Sequence, residues 1–156
     1  MRRVGLISDT HGLLRPEAVA FLRGSDFIVH AGDIGDAGVL RELERLAPLT
    51  VVRGNNDAGP WAQKIADTEV LRVDGVSLYV LHDLAELAID PQAAGHRVVV
   101  SGHSHKPLVE ERAGVLYVNP GSAGPRRFKL PIAVAELQIA GESVKARVVE
   151  LRLTPK

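Results

Sequence analysis

Cysteine is absent from this chain. Its absence rules out disulfides, thiolate metal ligands and a cysteine nucleophile, and it suits a reducing cytoplasm, where we expect the protein to reside. Aromatics are scarce, with three Phe, two Tyr and one Trp in 156 residues. So few rings cannot build an extended stacking groove for nucleic acid. No charge sign dominates, because Lys plus Arg and Asp plus Glu each number 19. Bulk electrostatics therefore indicates neither a nucleic-acid nor a membrane partner, although local patches are not excluded. Long apolar runs are missing too. The start, Met1-Arg2-Arg3, leads into a stretch too short and too interrupted for a signal sequence, and no run approaches membrane-spanning length.

What is present is a set of short apolar runs, each closed by polar residues. The length suits one domain, 1–156, with a sizeable core. The first half alternates: strand Val4–Ser8, helix Leu13–Arg23 with Pro16 in its first turn, strand Phe27–His30, helix Ala37–Leu46, strand Leu49–Val52. That order predicts parallel pairing in an α/β unit. The second half is rich in strands, at Glu69–Val73, Val76–Leu81, Val98–Val100, Leu108–Arg112, Val115–Val118, Ile132–Ile139 and Ser143–Leu151. Turns are expected at Asp74-Gly75, Gly114 and Gly141, and a short helix capped at Asp90-Pro91. Two packed sheets with helices outside account for this pattern.

The residues that close the runs carry the chemistry. They are Asp9 and His11, Asp33, Asn55 with Asn56 and Asp57, His82, His103 and His105, and Asn119 followed by Pro120-Gly121-Ser122. The ends of parallel strands share one edge of a sheet, where α/β proteins bind ligands. Oxygen and imidazole donors without sulfur suit Mn, Fe, Zn, Ni or Co. If the segments run extended, the spacing in Asp9-x-His11 and His103-x-His105 lets each pair address one pocket. Asp33, between the other candidates, is the natural bridge between two ions, which at about 3.5–4 Å apart would form the clamp used in phosphoester hydrolysis.

The blocks "DTHG", "AGD", "GNND", the lone His82, "GHSH" and "NPGS" stand in the order of the calcineurin-like metallophosphoesterase superfamily, which the chain resembles from Asp9 to Ser122. The short length resembles its small bacterial and archaeal phosphodiesterases, the branch related to the retromer subunit. This resemblance implies a four-layer α/β/β/α sandwich of two mixed sheets flanked by helices. It implies two divalent ions, Mn foremost, one held by Asp9, His11, Asp33 and His105 and the other by Asp33, Asn55, His82 and His103. Asp33, Asn55 and His103 count as catalytic. Two divalent cations against two aspartates and a bridging hydroxide leave about one positive charge, which attracts a phosphodiester anion while hydroxide attacks phosphorus in line. Two positions depart from the family pattern. Asn56 stands where many members carry a His that serves the leaving group, and Asp83 stands where Gly is usual.

Other residues have plainer readings. Asn56, Ser122 and Arg126 are candidate substrate contacts, with Arg127 beside them. Asp57 either caps a turn or steadies a ligand. His30 reads as a packed strand residue, His96 as a surface residue, and Trp61 as either a cover for the site or core. The expected partner is a small phosphodiester, and a homo-oligomer is compatible with the sequence. The rival readings are a non-catalytic scaffold of the same fold, and a phosphomonoesterase or nuclease. Complete ligand positions favour the enzyme.

Overall fold

A computed structural model describes residues 1–153. The expected domain limit of 156 therefore ends in three residues that lie outside the described ones. The elements run β1 (Arg2–Ile7), α1 (Pro16–Leu22), β2 (Phe27–His30), α2 (Ala37–Glu44), β3 (Leu49–Val51), α3 (Pro60–Gln63), β4 (Thr68–Val73) and β5 (Val76–Leu81). After a 3₁₀ turn at Leu84–Glu86 come β6 (Val98–Val100), β7 (Leu108–Arg112), β8 (Val115–Asn119), β9 (Ala133–Ala140) and β10 (Ser143–Glu150).

Two five-stranded mixed sheets result, ordered β10-β9-β1-β2-β3 and β4-β5-β6-β8-β7. β1, β2 and β3 pair in parallel in the first sheet, as do β5, β6 and β8 in the second. Both trios carry apolar side chains on both faces. In β1, Val4 and Leu6 enter the core between the sheets, whereas Ile7 joins Ala18, Leu22 and Leu43 under the helices. In β6, Val98 and Val100 face the first sheet and Val99 faces outward beneath Leu84 and Leu87. A strand buried on both sides has no room for polar residues along its length, so they collect at its end.

Local chemistry sets the element boundaries. Pro16 occupies the first turn of α1, where its missing N–H costs nothing. Asp36 caps α2 by accepting from the N–H groups of Gly38 and Val39 at 2.8 and 3.3 Å. The turns Asp74-Gly75 and Ala113-Gly114 both have paired positive φ, the backbone that suits a two-residue hairpin. The Asp90 segment forms a turn, not the expected short helix, although Asp90 does accept from the N–H groups of Gln92 and Ala93. The helical cover of the second sheet is consequently thin, reduced to the turn at Leu84–Glu86. Among the described residues no helix is long and apolar enough to cross a membrane.

Candidate metal centre

The C-terminal ends of both parallel trios open on the same side, and the seven candidate donors meet there. Their ligand atoms form two groups, Asp9–His11–His105 and Asp33–His82–His103, with atoms in each group within 4.8 Å of one another. Asp33 lies between the groups, its Oδ2 being 3.3 Å from His82 Nε2 and 3.7 Å from His11 Nε2. Asn55 joins the second group, with Oδ1 at 3.0 Å from His82 Nε2 and 3.1 Å from His103 Nδ1.

The expectation that the two x-His pairs run extended is overturned. Asp9, His11, Asp33, His103 and His105 all have positive φ, between 47° and 70°. The chain therefore turns sharply after β1, β2 and β6, where these donors stand. Left-handed backbone is uncommon outside glycine, and residues held there concentrate at functional sites. Close packing of these reversals explains two neighbouring glycines. A Cβ on Gly54 would lie 2.1 Å from the backbone nitrogen of Asp33, and one on Gly102 would lie 2.1 Å from Ser8 Oγ. Any larger residue would force the donor loops apart.

Supporting hydrogen bonds fix which atom of each donor faces inward. Asp9 Oδ2 accepts from Ser8 Oγ at 2.6 Å and from the His103 N–H at 3.1 Å, leaving Oδ1 turned into the site. The Nδ1–H of His82 donates to the Ala31 carbonyl at 2.7 Å, so Nε2 offers its lone pair, an arrangement typical of metal-binding imidazoles. Asp57 is not itself a donor. It accepts the N–H groups of Ile34 and Gly35 through Oδ1 and that of Gly54 through Oδ2, tying the Asp33 and Asn55 loops together. Asn119 does the same for the "GHSH" loop by donating to Gly102 O at 2.9 Å and Ser104 Oγ at 3.2 Å. Asn119 stood among the residues that close the apolar runs, but Ser8 is a support that sequence reasoning had not singled out, its only signal being adjacency to Asp9.

The arrangement suits cations. Asp9 Oδ1 and His11 Nε2 are buried without a hydrogen-bond partner, as is His105 Nδ1. In the second group, Asn55 Oδ1 and Asp33 Oδ2 crowd within 3.0 and 3.3 Å of His82 Nε2, an arrangement that a positive charge among them makes favourable. Burial by itself raises the carboxyl of Asp33, but His82 and the Asn56 N–H outweigh it and carry the pKa down to about 2. Burial likewise raises Asp9, and the His105 imidazole 3.4 Å from Oδ1 and the Ser8 hydroxyl bring it below its ordinary value. For His82, burial lowers the pKa, while Asp33 and the Ala31 carbonyl reverse the sign and raise it. The residues therefore fit two divalent ions.

The remaining candidates fall elsewhere. Asn56 donates to Asp33 through both backbone and side chain, so its amide positions a donor. The expectation of a substrate contact at Ser122 is corrected, because this residue is buried and its hydroxyl donates to the Asp9 carbonyl at 3.1 Å. Arg126 is exposed on the loop beyond it. His30 is fully buried, accepting the Gly32 N–H at Nδ1 and donating to Thr10 Oγ1 at 3.0 Å. Burial drives its pKa to about 4, so it stays neutral. Trp61 packs into the helix-side core instead of covering the site. His96 is half-buried, 2.8 Å from Ser77 Oγ. A cavity of about 330 Å³ opens beside Asn55 and His82, with Arg53, Asp67 and Asp83 in its walls.

With this geometry in place, comparison with known proteins is informative. The calcineurin-like phosphoesterase superfamily domain matches residues 2–142. A protein of Methanothermobacter thermautotrophicus named a probable metallophosphoesterase is 35% identical, covering 94% of this chain and 91% of its own. A phosphodiesterase of Methanocaldococcus jannaschii is 27% identical over 76% of this chain and 82% of its own. Among solved structures, Chaetomium thermophilum Vps29 superposes with a TM-score of 0.84 at 20% identity, covering 97% of this chain and 90% of that one.

Proposed function

Because the chain belongs to the calcineurin-like phosphoesterase superfamily, we propose that its site hydrolyses a small phosphodiester with the help of two divalent transition-metal ions, Mn foremost. The observation that carries this reading is the Asp33 carboxylate standing between two complete donor groups. Asp9, His11, Asp33 and His105 would hold one ion, and Asp33, Asn55, His82 and His103 the other. Such a pair supplies the positive charge and activated water that phosphoester hydrolysis needs.

The chain's own residues do the rest. The two ionised aspartates leave the loaded site with a net positive charge, enough to draw in a phosphodiester anion. The left-handed strand ends hold the donors rigid before substrate arrives, which lowers the reorganisation cost during reaction. His103 is an accessible donor, its side chain 44% exposed, and so is open to an incoming ester. Asp83 Oδ2, 3.7 Å from His103 Nε2, is placed to orient that ring. Asn56 cannot give a proton to a leaving oxygen. The cysteine-free composition suits action in the cytoplasm.

The test is metal stoichiometry combined with a substrate panel. Two ions per chain and faster turnover of an aryl phosphodiester than of the matching monoester are expected. One ion, or a preference for the monoester, would reject the reading. Structural likeness to Vps29 keeps a scaffold role as the second reading. Metal binding without turnover of any ester would favour it.

A further inference from the structure

Beyond the metal site lies a second feature that the reaction does not use. The segment Pro125–Leu130 carries Arg126, Arg127 and Lys129 with no acidic residue among them. All three side chains are exposed and, among the described residues, they have no ion-pair partner; the same holds for Lys106. Phe128 at the tip is 89% exposed, whereas the other five aromatics are at least partly buried. Its φ of 52° is the left-handed region, which a bulky aromatic seldom adopts. An apolar ring displayed in strained backbone amid unpaired cations is costly unless something binds it.

The location says what that something is. Phe128, Lys129 and Leu130 form one wall of a cavity of about 720 Å³, and Ser104 and Lys106 form the other. Ser104 lies between the donors His103 and His105, and Lys106 follows His105. An adjoining cavity of about 370 Å³ has His103, Ser104 and Lys106 in its walls, so the space at Phe128 leads to the metal centre. A ligand reaching from the reacting phosphorus into this cavity passes Lys106 and meets Phe128 and Lys129 on the opposite wall. A nucleoside carrying a second phosphate offers a flat ring for the aromatic face and an anion for the two lysines.

Building on the phosphodiesterase reading, we propose that the substrates are nucleoside phosphodiesters, the base stacking on Phe128 while a second phosphate meets Lys129 and Lys106, the two cations that line the cavity. A single ring suffices for one base, so the shortage of aromatics is no obstacle. Stacking on one aromatic and screening by salt predict separable effects.

Three esters sharing a 4-nitrophenolate leaving group test this on the Mn²⁺-loaded chain: methyl 4-nitrophenyl phosphate, adenosine 5′-(4-nitrophenyl phosphate), and the latter with a 3′-phosphate. We expect kcat/KM to rise roughly 5- to 100-fold from methyl to adenosine ester. Phe128→Ala should remove that preference and Phe128→Trp keep it. The ring is exposed, so neither change disturbs packing. The 3′-phosphate should raise kcat/KM further, an increment lost in the Lys106→Ala/Lys129→Ala double variant and weakened by KCl. Calorimetric binding of adenosine 3′,5′-bisphosphate, compared in wild type and Phe128→Ala, reads the same contact without turnover. Weaker binding by the variant, with no ester hydrolysed, would uphold the nucleotide site and reject the phosphodiesterase reading. Equal affinity, or an unchanged adenosine preference in Phe128→Ala, overturns the proposal. So does Phe128-dependent sedimentation with phosphatidylcholine–phosphatidylserine vesicles in the absence of any adenosine preference.

Discussion

Asn56 grips Asp33 twice, the backbone N–H reaching Oδ1 at 2.9 Å and the side-chain amide reaching Oδ2 at 3.2 Å. The second bond lands on the oxygen that lies between the two donor groups. Asn56→Ala should therefore weaken metal binding by about 10- to 100-fold, the usual cost of losing a hydrogen bond to a ligand. Chelator competition measures it, and unchanged affinity would show that the amide does not set the position of Asp33.

Asp33→Ala should lose more than Asn55→Ala, because the Asp33 carboxylate lies near both groups, 3.3 Å from His82 and 3.7 Å from His11, and the Asn55 amide reaches only the second. Metal content measured alongside rate separates the two. Chelation should abolish hydrolysis, and Mn²⁺ should restore it better than Ca²⁺, which prefers all-oxygen shells. Full activity in verified metal-free protein would end the dinuclear proposal.

The absence of a proton donor at Asn56 predicts a steep dependence on leaving-group basicity. A general acid contributes roughly 10²- to 10⁴-fold where the leaving oxygen needs a proton. Aryl diesters should be cleaved far faster than alkyl ones, and Asn56→His should help the alkyl esters selectively if its imidazole reaches the leaving oxygen. A graded series of leaving-group pKa values with metal content checked is the measurement. A flat series limited by chemistry would mean that another group donates.

Away from the site, Glu136 on β9 is a buried carboxylate held by Arg3 of β1 and Arg147 of β10. Burial raises its pKa, but the two guanidinium groups outweigh that and leave it below the ordinary value. A depressed carboxylate stabilises the fold above its unfolded pKa, and the contribution disappears as pH falls through the folded pKa. Glu136→Gln should cost stability at neutral pH, and the gap should close in acid below the ordinary carboxylate range. Urea unfolding of both proteins across that range reads it. A gap that widened in acid would refute the assignment.

Much of this was legible in the sequence. The apolar runs ended in donors, the donors lacked sulfur, and the order of the six blocks carried the fold, because strands buried on both faces can place polar residues only at their ends. The hairpin turns at Asp74-Gly75 and Ala113-Gly114 were equally local, being a matter of which residues tolerate positive φ. What only the tertiary structure decided were the relations between ends. Asp9 and His105 share a group although 96 positions separate them, and His103 and His105, two positions apart, belong to different groups. The left-handed reversals at five donors arise because loops from two sheets must crowd one edge, a steric demand that no short window contains. The same crowding turned Ser122 inward to the Asp9 carbonyl and recruited Asp57 to bind two loops at once. Periodicity reports which residues are buried, but the direction in which a polar side chain points depends on what the other chain segments bring to it.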